Sequence, residues 1–544
     1  MNLISLFRAE GSLQPARIAV MSALAGLSSA GVLVVINAAA DNVEHHRPTT
    51  FFFFLFLGVV AIYVVSKRFI MLTAIRETEQ IVHSIRMRIM SKVIRSDLLA
   101  IDQVGRSNIL AAAGKETQTI SQASFFLTNA AESLTMLVFS VIYLAWLSIS
   151  AFLIGLGFTC LAVLIHFRQL RSVNHELRDA IAQENICLDA MGDILSGFKE
   201  AKINSKRGDE IFDYFSQQSA AAANKKMTAQ ARMAGHFTLT QTMFYLLVAT
   251  MVFVAPIFSE SFSEVVVKTA TAVLFMFGAI STLVGSIPIL TQANAAAGAV
   301  RALEDTLDRA SPPSRKQRQG VFGLFHELRF RDVTFSHHDQ KTQPGFAVGP
   351  INLTLRAGEM VFVTGGNGSG KSTLMKLLVG LYRPLSGRIE VDGQAVTDED
   401  VEAYRNLFAT VFSDFHLFKR LFGLFDADQE KIDALLNLLE IQNKTAVADG
   451  EFSTLDLSGG QRKRIALLVA LLENRQIIVL DEWAADQDPY FRRKFYEELL
   501  PELRRQGKTI ICITHDDSYF HLADRQLKLE YGQLATDTGG KADA

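Results

Sequence analysis

The stretch Val361-Phe-Val-Thr-Gly365-Gly-Asn-Gly-Ser-Gly370-Lys371-Ser372-Thr373-Leu-Met-Lys-Leu-Leu378 decides the reading of this chain. Val361–Thr364 is an apolar run of strand length. The pattern GxxxxGK[ST] follows it, and Leu374–Leu378 opens an apolar helix. Strand, glycine-rich loop and helix in that order make a phosphate cradle. Gly365, Gly366, Gly368 and Gly370, with Asn367 and Ser369 between them, let backbone N–H groups turn inward, and the helix N-terminus adds partial positive charge. Lys371 is expected to reach the terminal phosphates. Ser372 offers its hydroxyl to a magnesium ion, and Thr373 closes the motif. The expected cofactors are ATP and Mg2+.

A second apolar run, Ile477–Leu480, ends in Asp481 and Glu482. Such a run suits a buried parallel strand. Asp481 at its end is placed to hold the magnesium shell. Glu482 is placed to orient or deprotonate the attacking water. Between the two motifs lies Leu457-Ser458-Gly459-Gly460-Gln461, followed by Arg462, Lys463, Arg464 and an apolar helix, Ile465–Leu472. A serine hydroxyl and glycine amides at a helix start form another anion site.

Upstream the chain changes character. Of 544 residues, 49% are hydrophobic and only 20% charged, and 39 are Phe. That balance excludes a plain cytosolic enzyme and a disordered chain. A net charge of −2 excludes the polycation signature of nucleic-acid binding. Cys160, Cys187 and Cys512 are too scattered for a disulfide framework or a zinc cluster. Charge-free stretches mark the membrane: 18–40, 48–66, 133–167, 233–259 and 269–300. Residues 133–167 are too long for one span of about 20 residues and fit two joined tightly near Trp146–Ser150. The expectation is a six-span helical bundle without a cleaved signal peptide.

Basic residues orient it. The loops 67–125 and 168–235 hold nine and ten Lys/Arg, whereas the opposite loops hold only Arg47 and Lys268. The two long loops and both termini are therefore expected on the cytoplasmic side. Ile75, Thr78, Val82, Ile85, Ile89 and Val93 recur at helical spacing in the first, so the bundle helices are expected to continue beyond the membrane. Each loop has a break, at Asp97–Gly105 and at Ser196–Gly197, that reads as a short docking element or a simple hairpin turn. Within the spans, Asn37, Asn129, Glu132, Tyr143, Gln241, Thr242 and Tyr245 are candidates for a cargo path, because polar groups are costly in hydrocarbon. Glu132 is the sharpest of them, against an interfacial carboxylate as the plainer reading. Lys268 is expected to snorkel at the outer interface, and His45–His46 reads as a solvated pair rather than a metal site.

Ser311–Gly320, with a proline pair and a basic cluster, reads as a linker. The expected organisation is a transmembrane domain over 1–308, a linker over 309–325, a nucleotide-binding domain over 326–535 and a polar tail over 536–544.

The pentapeptide Leu457–Gln461 between the two ATP motifs resembles the signature of the ABC ATPases. The whole chain resembles an ABC exporter half-transporter, a type I exporter bundle fused to an α/β P-loop ATPase domain. That resemblance implies further roles. His515 looks like the switch histidine that contacts the γ-phosphate and Glu482. Asp488 sits where the family's D-loop aspartate lies. Ser413 takes the place of the Q-loop glutamine near the metal, with Asp414 as an alternative stand-in. His337 takes the place of the aromatic that stacks on adenine. One P-loop and one signature loop per chain imply a homodimer with shared sites. Gly197-Phe-Lys-Glu-Ala-Lys202, Phe412–Phe418 and Asp481-Glu-Trp-Ala-Ala-Asp-Gln-Asp488-Pro are similar to the cyclic-peptide and siderophore exporters, PvdE-type and YojI-type, of Gram-negative inner membranes. The implied cargo is a peptide-siderophore precursor or related peptide. A chain that starts so near its first span is expected to lack a leader-cleaving protease domain. A lipid or multidrug exporter is the alternative, with an importer or a regulatory ATPase less favoured.

Overall fold

The computed structural model describes residues 15–254, 266–310, 322–336 and 346–538, together with Leu3, Ser5 and Leu6. The expected linker core, Ser311–Gly320, lies outside the described residues, as does His337. The chain divides into two compact units. One comprises Met1–Ser91 and Ser107–Glu304, the other Lys92–Arg106 and Asp305–Ala544.

The first unit is helical. Its helices include Pro15–Glu44, most of Thr50–Arg95, Thr117–Leu147, Ile149–Ser196, Ser205–Ala249 and most of Val266–Ala310. Among the described residues, five helices are long and apolar enough to cross a membrane. The fourth expected span falls on Ile149–Ser196, where Ile149–Phe158 stands out as a shorter apolar helix. The tight junction expected near Trp146–Ser150 is present: one helix ends at Leu147, Ser148 is extended, and its hydroxyl caps the next helix by accepting from the Ala151 amide at 3.3 Å. Thr50–Arg95 is unbroken over 46 residues. At about 1.5 Å per residue such a helix runs well past a hydrocarbon core about 30 Å thick.

The helical stripe of that extension differs in detail from the sequence reading. Thr78, Val82, Ile85 and Ile89 are buried as expected, but Ile75 is 53% exposed. Ala74 and Ile81 are buried instead. The small alanine faces the neighbouring helices, and the bulkier isoleucine beside it turns outward.

Several polar residues of these helices are paired with one another. Glu132 is 9% exposed and ion-paired with Lys67, which also donates to Asn129 Oδ1 at 2.8 Å. Asn37 donates to Tyr143 Oη at 3.1 Å and to the Lys268 carbonyl at 3.2 Å. The Lys268 ammonium pairs with Asp41. Gln241 donates to Tyr245 Oη at 3.0 Å.

The second unit carries two sheets. A four-stranded antiparallel sheet has the order β2-β1-β4-β5, with β1 Glu327–Ser336, β2 Ala347–Arg356, β4 Ser386–Val391 and β5 Gln394–Ala395. A six-stranded sheet has the order β12-β11-β3-β10-β9-β6. Its strands are β3 Met360–Thr364, β6 Phe408–Val411, β9 Ile477–Asp481, β10 Thr509–Ile513, β11 Arg525–Glu530 and β12 Gln533–Asp537. All but β12 run parallel. β9 and β10 are buried at every position, because helices cover both faces of the sheet and leave no polar side to alternate with. Short strands β7 Val447–Ala448 and β8 Glu451–Phe452 pair by themselves. Strand β12 takes in Thr536 and Asp537, the first residues of the stretch read as a tail.

Candidate nucleotide site

The P-loop leaves β3 at Thr364 and enters the helix Lys371–Leu378. Gly365 turns it, with φ 144°, and a Cβ there would lie 2.3 Å from the Leu529 carbonyl oxygen. Only glycine meets both demands. Lys371 is 6% exposed and folds back over the loop, donating to the carbonyls of Gly365 at 2.9 Å and Gly366 at 3.0 Å. An ammonium held over a ring of loop amides is set for the oxygens of a polyphosphate. The Ser369 hydroxyl is buried and has no partner among the described residues. A phosphate oxygen in the loop would satisfy it. Thr364, Gly365, Gly366, Thr514 and His515 also line a cavity of about 460 Å³ beside the loop.

Parallel pairing brings the carboxylates to the same end of the sheet. β10 aligns Ile513 with Asp481, and the residues just after each strand carry the remaining groups. Asp481 is 4% exposed. Burial raises its pKa, while hydrogen bonds from the Ser413 hydroxyl and amide oppose that rise. Ser413 lies close enough to act on that carboxylate. A buried carboxylate joined to a hydroxyl, with the Ser372 hydroxyl on the adjacent P-loop helix, is a hard-oxygen donor set that fits Mg2+. The ion would supply charge neutralisation for the phosphates.

Glu482 adopts the left-handed conformation, φ 48° and ψ 38°. Its amide donates to the Ile513 carbonyl at 3.0 Å, and its side chain meets His515, Oε1 to Nε2, at 3.3 Å. Both side chains are partly open to solvent, at 39% and 47%. Water has access to the pair, and the imidazole stands within reach of whatever the carboxylate holds.

The signature loop begins the helix Gly459–Leu472. Ser458 and Gln461 form a reciprocal capping box: the Gln461 amide donates to Ser458 Oγ at 3.4 Å, and the Ser458 amide donates to Gln461 Oε1 at 3.1 Å. The S-x-x-Q spacing encodes it. The Ser458 hydroxyl proton remains able to donate outward. Gly460 packs so closely on the turn after β9 that a Cβ would lie 2.6 Å from the Asp486 carbonyl oxygen. Asp488 caps the helix Pro489–Lys494 by accepting from the Phe491 amide at 2.9 Å. That bond, and then the Arg464 guanidinium at 2.9 Å, hold its carboxyl below the usual aspartate range.

The structure thus gathers Lys371, Ser369, Asp481, Ser413, Glu482 and His515 around one end of the parallel sheet. Ser458–Gln461 and Asp488 form a neighbouring cluster joined by Arg464 and Gln487. Sequence reasoning passed over those two, and Lys463 and Trp483, although the basic run after Gln461 was visible. Nothing in its spacing pointed to partners nineteen to twenty-four residues downstream.

A P-loop with an Asp–Glu strand end, a histidine after the neighbouring strand and a capped Ser-Gly-Gly-Gln helix defines an ATP-hydrolysing domain. The comparisons agree. The ABC transporter family model matches residues 348–485. The chain is 34% identical over 533 residues to the ATP-binding protein SyrD of Pseudomonas syringae pv. syringae, covering 94% of this chain and 92% of that one. It is 26% identical over 480 residues to an ATP-dependent lipid A-core flippase of Paraburkholderia xenovorans, covering 84% and 78%. A bacterial Atm1-family ABC exporter solved with ATP bound shares the fold, with a TM-score of 0.79 over 97% of this chain and 95% of that one, at 19% identity. The chain belongs to the ABC transporter family. It is a multi-pass membrane protein with the type I exporter fold, and its ATPase domain couples ATP hydrolysis to transport.

Proposed function

We propose that this protein exports a peptide cargo, a peptide-siderophore precursor of the pyoverdine kind or a cyclic peptide, across a bacterial inner membrane. The observation that carries the reading is the arrangement of Lys371 over the P-loop, Asp481 at the end of its strand and Glu482 against His515, on a chain with long apolar helices. The residue runs at 197–202, 412–418 and 481–489 support the peptide class, and similarity along almost the whole of SyrD supports a Gram-negative setting. The basic loops favour cytoplasmic termini. One P-loop and one signature loop per chain favour a two-fold homodimer in which Lys371 of one copy faces Ser458 of the other across a shared ATP with Mg2+.

In this reading Lys371 and the loop amides hold the phosphates, Asp481 and Ser413 hold the metal, Glu482 orients the water and His515 steadies the γ-phosphate. His337 would stack on the base. A relative named as a lipid A-core flippase matches most of this chain, which favours lipid as the second reading. Comparing periplasmic metabolites with and without the protein tests the proposal. Loss of a peptide species supports it, and an unchanged peptide pool beside altered surface lipid favours the alternative.

A further inference from the structure

Lys463 is a buried lysine outside the groups assigned above. It lies on the first turns of the helix Gly459–Leu472, is 5% exposed, and points at the turn that follows β9. Its ammonium donates to the Glu482 carbonyl at 2.8 Å and pairs with the Asp486 carboxylate at 2.8 Å. Its own carbonyl accepts from the Trp483 indole at 2.8 Å. Trp483 is fully buried and stacks on Phe495 at 4.4 Å between ring centres. The result is a reciprocal clasp. The helix holds the turn through a lysine ammonium, and the turn holds the helix through a packed indole.

The clasp acts on a strained residue. Left-handed backbone is strained for a non-glycine residue and persists only where its surroundings hold it. The Glu482 amide is fixed by Ile513 at 3.0 Å. Its carbonyl receives the Ala485 amide at 3.3 Å and the Lys463 ammonium at 2.8 Å. The charged donor is the shorter and stronger of the two. Without it, one side of the Glu482 peptide loses its principal partner, and the backbone is free to relax toward ordinary dihedrals. That relaxation would carry the carboxylate away from His515.

We propose that Lys463 is a positioning residue for hydrolysis: its ammonium fixes the Glu482 peptide in the conformation that aims the carboxylate at His515. The inference rests on Glu482 being the group that orients water. Because the same helix starts at Ser458, the clasp also ties the signature loop to that carboxylate within one chain.

The test uses the full-length protein in nanodiscs, with kcat and KM for ATP and equilibrium binding of a fluorescent ATP analogue. Lys463→Met is expected to lower kcat by about tenfold or more while KM and nucleotide affinity stay within about threefold. Lys463→Gln keeps an N–H donor for the carbonyl and is expected to recover part of kcat. Should Lys463→Met fail to fold, Lys463→Gln carries the test alone, with kcat several-fold below wild type at unchanged KM. A wild-type kcat in Lys463→Met, beside an inactive Glu482→Gln, overturns the proposal alone. Equal losses of kcat and nucleotide affinity in both lysine variants also overturn it, because a merely structural role would give that. An active Glu482→Gln overturns the reading of Glu482 and this proposal with it.

Discussion

Asp97 and Arg383 form an ion pair, Oδ2 to Nε at 3.1 Å, that joins a short helix from the helical half of the sequence to the ATPase fold. Arg383 is braced from its other side by Asp398 at 2.9 Å. The short helix Leu98–Val104 follows directly, and Leu98 and Leu99 pack against the core that holds Val361, Leu374 and Phe408. Segment Lys92–Arg106 belongs to the same compact unit as the ATPase domain. The break read in the sequence at Asp97–Gly105 is therefore a docked element and not a bare hairpin turn.

Severing that pair should uncouple the two activities. Asp97→Ala or Arg383→Ala is expected to keep ATP hydrolysis within about twofold of wild type while transport falls by at least about fivefold. Measuring both on the same proteoliposomes checks this. A partly exposed pair contributes little stability by itself, so unchanged melting temperatures are expected alongside.

If Glu482 has the role proposed for it, Glu482→Gln should bind ATP normally and lose steady-state hydrolysis by about a thousandfold. Lys371→Ala should weaken nucleotide binding itself, since it removes the ammonium that sits over Gly365 and Gly366. Nucleotide titration and phosphate release, run on both variants, separate the two effects.

The Ser413 hydroxyl and amide oppose the rise that burial imposes on the Asp481 carboxyl. Ser413→Ala removes the hydroxyl only. The expected outcome is a several-fold rise in the Mg2+ concentration needed for half-maximal hydrolysis, with metal-free ATP binding unchanged. A magnesium titration at saturating ATP reads this directly.

The proposed two-fold homodimer predicts complementation. Lys371→Ala and Ser458→Arg chains, each inactive as homodimers, should regain ATP binding when co-expressed. Each mixed dimer holds one intact shared site and one doubly damaged site. Tagged co-purification followed by nucleotide counting tests it, and an active monomer in a nanodisc would refute it.

Much of this was legible because local chemistry dictated it. Strand β3, its glycines and Lys371 carry their conformations in their own sequence, as does the capped start at Ser458. Long charge-free runs announced the bundle without any knowledge of packing. What was illegible depended on distant partners. The Lys463–Glu482 clasp bridges nineteen residues, a spacing set only when the sheet aligns β9 beside the signature helix. Arg383 gave no sign that Asp97, 286 residues away, would meet it. Ile75 was misassigned because helical spacing alone does not say which edge of an apolar stripe faces its neighbours.

Direction and energy source together are the centre of this account, and transport into inside-out membrane vesicles measures both. With ATP and Mg2+ present, vesicles holding the wild-type protein should accumulate a labelled peptide-siderophore precursor against its gradient, and vesicles holding Glu482→Gln should not. Accumulation in right-side-out vesicles instead, or equal uptake by the Glu482→Gln protein, would contradict ATP-driven export.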